Sequence, residues 1–273
     1  MLGYRLFLFL IIKIGGDHMA KRRKTITAGR LVKTVIYTVP VPRDSEHVRA
    51  AKSKATTEAQ RALNYKTAQG RLEMLLAANF DKDDFFCTVT YRDECLPKTI
   101  DEAKENIRSF FDALRKVRKK RGLVLKYVYV TEGQHGDKRY HHHLVINAVE
   151  DGDVETIRSL WPFGDVVDVE RIYNYEYLDI AKYITKEAAE GKPVGAPMWS
   201  RSRTLENPKV ESCFVPDDET IEPPPGAYVL EKEEKQNEFG SFCYLKYRLP
   251  TPRKPFKPRP PYQPRGPRAK LIS

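Results

Sequence analysis

The chain has 273 residues, of which 41% are hydrophobic and 31% are charged, and its formal net charge is +11. That length suffices for one domain with appendages or for two small domains, and this composition excludes both a membrane protein and a wholly disordered chain. Eight of the 48 basic residues and none of the 37 acidic residues fall in residues 248–273, which leaves a net charge of only +3 for residues 1–247. Contact with a polyanion would therefore depend on local patches and on this tail.

The first residues and the cysteines indicate a cytoplasmic protein without membrane contact. The apolar run at residues 6–12 is far shorter than the roughly 20 residues of a membrane-spanning helix, and no small-residue cleavage site follows it. Four cysteines without any C-x-x-C pair indicate reduced thiols rather than a secreted scaffold. Residues 15–18 can be encoded by a bacterial ribosome-binding sequence. We therefore expect translation to start at Met19, and residues 1–18 to be a non-native extension.

Residues 19–80 are predicted to form a basic, mainly helical N-terminal region. A possible strand at residues 31–39 precedes residues 45–79, which contain no proline, a single glycine and many Ala, Lys, Arg and Gln residues. That composition is typical of a helix, and Ser45 is a suitable N-cap. The basic side chains of this helix could meet phosphates or could form a solvated face, and the sequence does not decide between these interpretations.

The middle of the chain alternates strand and helix patterns in the order β-α-β-β-α-β, followed by one more helix. That order is typical of the split βαβ, ferredoxin-like fold of the α+β class, in which helices cover one face of an antiparallel sheet. The other face, or a cleft at its edge, would then be open to a ligand. The predicted elements are residues 85–91, 100–121, 124–131, 140–149, 153–160, 165–172 and 175–190.

We place this second domain at residues 81–247, with a C-terminal extension beyond residue 191 that contains a basic loop at residues 199–203 and a last strand at residues 240–248. Residues 248–273 include eight prolines, so we expect a disordered basic tail, partly in polyproline II conformation. Such a tail could solubilise the protein or could tether it to phosphate backbones.

Three consecutive histidines occur near the start of the strand predicted at residues 140–149. Alternate side chains of a strand share a face, so His141 and His143 point one way. His142 points the other way, where it would pack or form hydrogen bonds. Two imidazoles two residues apart on a rigid strand can hold one divalent metal ion.

Glu132 ends the strand that precedes the histidines, and pairing of the two strands would bring it near His141. A carboxylate there completes a His-His-Glu set with open positions, which suits Mg²⁺ or Mn²⁺ and a phosphate oxygen. Glu132 could equally be a hairpin-end residue that pairs with Lys138 or Arg139.

Tyr183 and Lys186 lie three residues apart on the last predicted helix, so they are neighbours on one helix face. A tyrosine hydroxyl normally has a pKa near 10 and needs help to act as a nucleophile. A metal ion that polarises a phosphoryl group and a nearby ammonium group can supply that help. The alternative is an ordinary aromatic residue at the edge of the core.

Three motifs together resemble a known family. TVTY at residues 88–91, Glu132 ahead of YHHHL at residues 140–144, and YITK at residues 183–186 occur in the order found in rolling-circle replication initiators of the His-hydrophobe-His (HUH) endonuclease superfamily. Within that superfamily, the sequence is most similar to replication-associated proteins related to the filamentous-phage gene II protein. The resemblance covers about residues 85–189.

The resemblance implies a metal-dependent endonuclease that nicks one DNA strand and leaves a covalent 5′-phosphotyrosine and a free 3′-hydroxyl. By motif position, it implies that His141, His143 and Glu132 are the metal ligands and that Tyr183 is the nucleophile, accompanied by Lys186. The phosphodiester energy is kept in the phosphotyrosine, so no nucleotide cofactor is needed.

The resemblance also implies partners. The substrate would be single-stranded or hairpin origin DNA, with host helicase and polymerase supplying unwinding and synthesis, because no G-x-x-x-x-G-K-[ST] motif occurs. Asp179 stands where two-tyrosine initiators place their other tyrosine, so the sequence resembles single-tyrosine enzymes. Termination would use a second protomer, water or another tyrosine such as Tyr177.

Two other interpretations remain open at this point. A relaxase or a single-strand transposase would use the same chemistry, and a non-catalytic nucleic-acid-binding protein could use Phe85, Tyr127 and Tyr129 as stacking platforms on its sheet. In every case, basic residues flanking the motifs would steer the DNA. These predicted DNA-binding residues are Lys138, Arg139, Lys182, Arg201 and Arg203.

Overall fold

The computed structural model describes residues 19–40, 58–133, 139–172, 175, 177–186, 197–237 and 240–251. These residues form an α+β fold with two five-stranded antiparallel sheets and four α-helices, which confirms the predicted fold class. The elements in chain order are β1 (Met19–Ala28), β2 (Leu31–Pro40), α1 (Glu58–Asn79), β3 (Phe85–Thr90), α2 (Ile100–Lys120), β4 (Tyr127–Glu132), β5 (His141–Ile146), α3 (Asp153–Ser159), β6 (Val167–Arg171), α4 (Tyr177–Thr185), β7 (Ser200–Arg201), β8 (Lys209–Val215), β9 (Tyr228–Asn237) and β10 (Gly240–Arg248).

The sheet in the middle of the chain has the strand order β6-β3-β5-β4-β7, with antiparallel pairing throughout. Its first four strands, with α2 and α3 as crossovers, reproduce the order of the split βαβ fold predicted from the sequence. α2 begins where the Thr99 hydroxyl caps the backbone N–H of Glu102 at 3.2 Å. Its apolar stripe, which includes Ile107 and Leu114, is fully buried, as the helical spacing predicts.

Helices cover both faces of this sheet. α2 and α3 pack on one face, over a core that includes Phe85, Leu144 and Ile146. α1 and α4 pack on the opposite face, against Val128 and Val145. The sequence pattern leaves this second face open to a ligand, but apolar residues of α4 bury most of it. Only its edge remains for the polar side chains of β3, β4 and β5.

The second sheet has the strand order β8-β1-β2-β10-β9, and three of its strands differ from what the sequence predicts. Residues 19–28 form a strand rather than part of a helical region, and β8 and β9 replace predicted loop. β1 and β2 join through a tight turn in which Gly29 has a φ of 55°, a conformation that favours glycine. β8 and β10 then pair with the two sides of this hairpin.

α1 links the two sheets. Its second half buries Leu72 and Leu76 in the core shared with α4, and Glu73 forms a buried ion pair with Lys246 of β10 at 3.0 Å. The described helix begins at Glu58, and the predicted start at Ser45 lies outside the described residues. The predicted extension at residues 1–18 and all but four residues of the predicted basic tail also lie outside them.

None of the helices in the described ranges is long and apolar enough to cross a membrane. All four cysteines lie within the described residues, and all four are free thiols. Cys87 is buried in the core and the other three reach the surface to different degrees.

Candidate metal centre

β5 lies between β3 and β4, and the strand register sets which residues meet around its first histidines. His141 is directly opposite Glu132 of β4, and His143 is directly opposite Thr88 of β3. Because the side-chain period of a strand is two, both histidines project from the same face as these partners. The predicted proximity of Glu132 to His141 is therefore confirmed.

The three predicted ligands converge on one point. Nε2 of His141 lies 3.3 Å from Oε2 of Glu132, and Nε2 of His143 lies 3.7 Å from the same oxygen. One ligand atom from each residue lies within 4.8 Å of the others, and Glu132 and His143 are buried. This cluster can hold a metal ion.

The hydrogen bonding of the cluster fits a divalent cation. Oε1 of Glu132 and Nε2 of His143 are buried and have no hydrogen-bond partner among the described residues. Buried polar atoms normally have partners, because an unpaired one costs roughly 1–3 kcal/mol. A carboxylate and two imidazoles are donors that Mn²⁺ and Mg²⁺ accept, so an ion at this point would satisfy both atoms.

The other ring nitrogen of each histidine is held by a neighbour. Nδ1 of His141 donates to the backbone carbonyl of Arg139 at 2.9 Å, and Nδ1 of His143 lies 3.1 Å from the Thr88 hydroxyl. A carbonyl can only accept, so the proton of His141 is on Nδ1 and its Nε2 lone pair faces Glu132. Such outer contacts fix the orientation of metal-binding imidazoles.

The electrostatics keep the carboxylate charged. Burial alone would raise the pKa of Glu132, but hydrogen bonds and charge interactions with His141 and His143 outweigh burial and lower its pKa to about 2. Glu132 is therefore ionised across the physiological pH range and needs to lose no proton to bind a cation.

His142 has a different role from its two neighbours. It is buried on the opposite face, where its ring nitrogens form hydrogen bonds with the hydroxyls of Tyr91 at 2.7 Å and Thr131 at 2.9 Å. Burial, and then the nearby His141 and His143, lower the pKa of His142 to about 3, so the ring is neutral. The predicted opposite orientation of His142 is confirmed, and its contacts anchor β5 to the core.

α4 carries Tyr183 across the sheet face from which His143 projects. Ala181 and Ile184 of this helix are buried, whereas Tyr183 remains 46% exposed at the edge. Its ring meets the His143 ring edge-on, with the centroids 4.7 Å apart and the planes at 83°. Phe86 lies beside both rings, parallel to His143 at 5.9 Å and perpendicular to Tyr183 at 5.6 Å. A phenol thus lies next to a candidate metal ligand.

Lys186 and Lys182 flank this tyrosine at the surface. Lys186 follows the end of α4, is exposed, and donates its backbone N–H to the carbonyl of Tyr183 at 3.2 Å. Lys182 is also exposed and forms an ion pair with Asp179 at 3.1 Å. Tyr177 begins the same helix but is buried, and its hydroxyl donates to the carbonyl of Phe80, so it does not share the exposure of Tyr183.

A cleft of about 700 Å³ opens beside His141. Arg92 and Arg139 line it, together with the acidic residues Asp93 and Asp165. Arg92 pairs with Asp165 at 3.0 Å and Arg139 pairs with Asp93, so Arg139 does not take Glu132 as a hairpin-end partner. The cleft brings one predicted DNA-binding residue, Arg139, next to the cluster.

The remaining predicted DNA-binding residues are placed differently. Arg201 pairs with Val128, four residues before Glu132 on β4, which corresponds to roughly 13 Å along a strand. Arg203 follows in the direction away from Glu132, because β7 runs antiparallel to β4. Lys138 lies outside the described residues.

The predicted stacking platform on the sheet is wrong. Phe85 and Tyr129 are buried, and Tyr127 stacks on Phe111 of α2 with the ring centroids 3.7 Å apart. α2 covers these rings, so bases cannot stack on them.

Two residues of the site were not singled out from the sequence. Thr88 lies within the TVTY motif, and its contact with His143 follows from the pairing of β3 with β5. Phe86 lies two residues earlier on the same face. The alternating pattern of β3 indicates a shared face, but only the register reveals which histidine each residue meets.

Comparison with known proteins points to DNA replication. Residues 84–188, somewhat more than a third of the chain, match the family of replication-associated proteins that comprises ORF2 and the gene 2 protein. The matched segment runs from β3 through α4 and contains Glu132, His141, His143 and Tyr183. This match supports a replication initiator.

The other comparisons add little. No curated protein matches the chain. Among solved structures, the chain is similar to the crystal structure of the hypothetical protein ORF119 from Sulfolobus islandicus rod-shaped virus 1, with 12% identity, 48% of this chain and 98% of that chain covered, and a TM-score of 0.31. A likeness of that size carries no argument about fold or function.

Proposed function

We propose that this protein nicks and rejoins single-stranded DNA through a 5′-phosphotyrosine on Tyr183, and that it thereby initiates rolling-circle replication of a phage, a plasmid or another mobile element. The observation that carries the proposal is the contact between the Tyr183 ring and the His143 ring of the candidate metal centre. The match of residues 84–188 to a replication-associated family supports the same conclusion.

Glu132, His141 and His143 would hold the divalent ion, Mg²⁺ or Mn²⁺. When bound, such an ion polarises a phosphoryl oxygen as a Lewis acid and stabilises the charge that develops there. The chain positions its ligands beforehand, because Thr88 and the carbonyl of Arg139 hold the two imidazoles and the charged Glu132 needs no deprotonation.

The reaction is a transesterification. The Tyr183 oxygen forms a bond to phosphorus and the bond from phosphorus to the 3′-oxygen breaks, while the phenolic proton is finally balanced by protonation of that 3′-oxygen. One phosphodiester is exchanged for another, so the reverse reaction rejoins the strand. Lys186, one turn beyond Tyr183, supplies a positive charge that offsets the charge of the attacking oxygen.

The cleft beside His141 would receive the strand. Arg92 and Arg139 on its walls can exchange their surface carboxylate partners for phosphates, since exposed ion pairs are worth little in water. Lys182 beside the nucleophile would act similarly. Arg201 and Arg203 would contact DNA farther from the cluster. Host helicase and polymerase would supply unwinding and synthesis.

A denaturing adduct assay tests the proposal. The full-length protein is incubated with a labelled origin-derived hairpin oligonucleotide and Mn²⁺, and label that migrates with the protein in denaturing gels is measured. Tyr183→Phe should abolish the adduct. Tyr140→Phe is the matched control, because Tyr140 lines the cleft beside His141 and is only partly buried. It should leave the adduct intact.

The same assay separates the alternatives. A non-catalytic binder would shift the mobility of the oligonucleotide in native gels but give no adduct with the wild-type protein. An adduct that survives in Tyr183→Phe and is lost in Tyr140→Phe would refute Tyr183 as the nucleophile. An adduct formed only with a transfer-origin or transposon-end hairpin would assign the same chemistry to a relaxase or a transposase.

A further inference from the structure

The sheet β8-β1-β2-β10-β9 carries a row of aromatic and cationic side chains across one face. The register places Phe214 of β8 opposite Arg22 of β1, Arg22 opposite Tyr37 of β2, and Tyr37 opposite Phe242 of β10. Residues that are directly opposite each other share a face, so these four side chains form a continuous line, called here the aromatic row. Phe214 and Phe242 are separated by three strand spacings, about 14 Å.

The rings of the aromatic row reach solvent and are held in place by their neighbours. Phe214 is 53% exposed and Phe242 is 36% exposed. The guanidinium of Arg22 lies 5.8 Å from the centre of the Phe214 ring and donates to the Ser212 hydroxyl at 2.7 Å. Phe242 stacks in parallel beside Tyr244, with the ring centroids 6.5 Å apart. Two large rings are therefore presented to solvent in fixed positions.

The face that carries the aromatic row is cationic. On β8, β1, β2 and β10, the basic side chains that share this face are Arg22, Lys24, Lys33 and Lys246, and none of the residues between them on that face is acidic. Lys246 is neutralised by the buried Glu73. The other three have no carboxylate within 4.0 Å among the described residues. The acidic residues Glu231 and Glu233 appear only on the edge strand β9.

We propose that this face binds single-stranded nucleic acid, with bases stacked on Phe214 and Phe242 and phosphates paired with Arg22 and Lys24. Exposed aromatic rings interleaved with cations are what single strands require, because every base offers a flat face and every nucleotide a negative charge. A second copy of this chain is a poor occupant, because two such cationic faces repel each other.

This surface is separate from the candidate metal centre and goes beyond the proposed nicking reaction. It belongs to the other sheet and contains none of the residues of the matched segment 84–188. A strand held here while another part of it occupies the cleft would raise the local concentration of substrate at Tyr183. Binding to this face requires neither the metal nor the tyrosine.

The experiment measures the affinity of the full-length protein for a fluorescent oligothymidylate by anisotropy, in a chelator so that no cleavage occurs. Phe214→Ala/Phe242→Ala should weaken binding about tenfold or more, because stacking on these rings is lost. Arg22→Gln/Lys24→Gln should reduce the slope of log affinity against log salt by about 1.4, the value for two phosphate contacts with a single strand.

The matched control uses the opposite face of the same sheet. Lys209 is opposite Thr27 and Lys232 is opposite Leu245, so both project away from the aromatic row. Lys209→Gln/Lys232→Gln removes the same charge and should leave the salt slope within about 0.3 of the wild-type value, because it removes no phosphate contact. Urea midpoints of all variants check folding, and the single variant Phe214→Ala is a milder test should the double variant unfold.

Equal affinity of the wild type and Phe214→Ala/Phe242→Ala would overturn the inference and leave the cleft or the basic tail as the binding surface. An equal change in salt slope for the control variant would overturn it as well. Because the assay needs no cleavage, a protein that binds through the aromatic row but forms no adduct would refute the nicking proposal alone.

Discussion

Replacing Thr88 with valine tests whether the His-His-Glu cluster is a metal centre. Valine keeps the branched shape of threonine on β3 but removes the hydroxyl that lies 3.1 Å from Nδ1 of His143. The ring would lose the contact that orients its Nε2 toward Glu132. Loss of such an outer contact typically weakens metal binding 10- to 100-fold.

The size of the effect follows from linkage between binding and folding. At an Mn²⁺ concentration of 100 times the dissociation constant, binding to the folded state stabilises the wild type by about 2.7 kcal/mol. A 10- to 100-fold weaker site at the same concentration gives only about 1.4 to 0.4 kcal/mol. Thermal or urea unfolding with and without Mn²⁺ measures this difference, and titration calorimetry measures the affinity directly.

Thr90→Val is the matched control. Thr90 lies two residues further along β3 on the same face, opposite His141, but its hydroxyl contacts the backbone carbonyl of Val166 rather than an imidazole. It should bind Mn²⁺ like the wild type. Identical Mn²⁺ affinities for Thr88→Val, Thr90→Val and the wild type would refute the orienting role of Thr88. Absence of Mn²⁺ binding in the wild type would refute the metal centre itself.

Three further predictions concern stability and can be measured by urea unfolding. Arg118→Met should lower the free energy of unfolding by about 3–5 kcal/mol, because it leaves the carboxylate of Asp153, now 3.3 Å away and fully buried, without its charge partner; a loss below about 1 kcal/mol would contradict this. Gly164→Ala should cost at least about 1–3 kcal/mol, because the new Cβ would lie 2.0 Å from the carbonyl of Thr90; wild-type stability would show that this loop yields freely. The free energy of unfolding should fall by about 2 kcal/mol between pH 7 and pH 5, because an unfolded histidine takes up a proton near pH 6.5 whereas the folded pKa of His142 is about 3. His142→Asn should flatten that dependence, and an unchanged slope would assign it to another group.

The core of the fold could be predicted from the sequence because its elements are strongly periodic and follow each other closely. The stripe of α2 that includes Ile107 and Leu114 repeats with helical spacing, and the short alternating strands on either side leave one common arrangement. Both ends of the predicted helix agree with the observed Ile100–Lys120 to within one residue.

The second sheet could not be predicted in the same way. β1 contains four basic residues within MAKRRK and is partly exposed on both faces, so neither its composition nor its periodicity indicates a strand. β9 is similar, with the highly charged sequence YVLEKEEKQN. These strands are stabilised by pairing with partners nearly 200 residues away, as in Lys24 opposite Ser212, and such pairing leaves no local signal.

The candidate site was predictable in its members but not in its distances. The i, i+2 spacing of His141 and His143 defines their common face, and the short link to β4 brings Glu132 near them. The approach of Tyr183 depends on which sheet face α4 covers, because burial of Ala181 and Ile184 decides it. No spacing along the chain contains that choice.

The order in which the strands of the second sheet appear along the chain has a consequence for biosynthesis. β1 and β2 leave the ribosome first, but the strands that flank them, β8 and β10, are translated only after β3 through α4. On a nascent chain, the segment with the histidines and Tyr183 can thus assemble while the hairpin at residues 19–40 still awaits both neighbours. A transcript broken before codon 209 would yield a protein with the proposed nicking residues but with an unpaired, strongly basic hairpin, which is a template for aggregation.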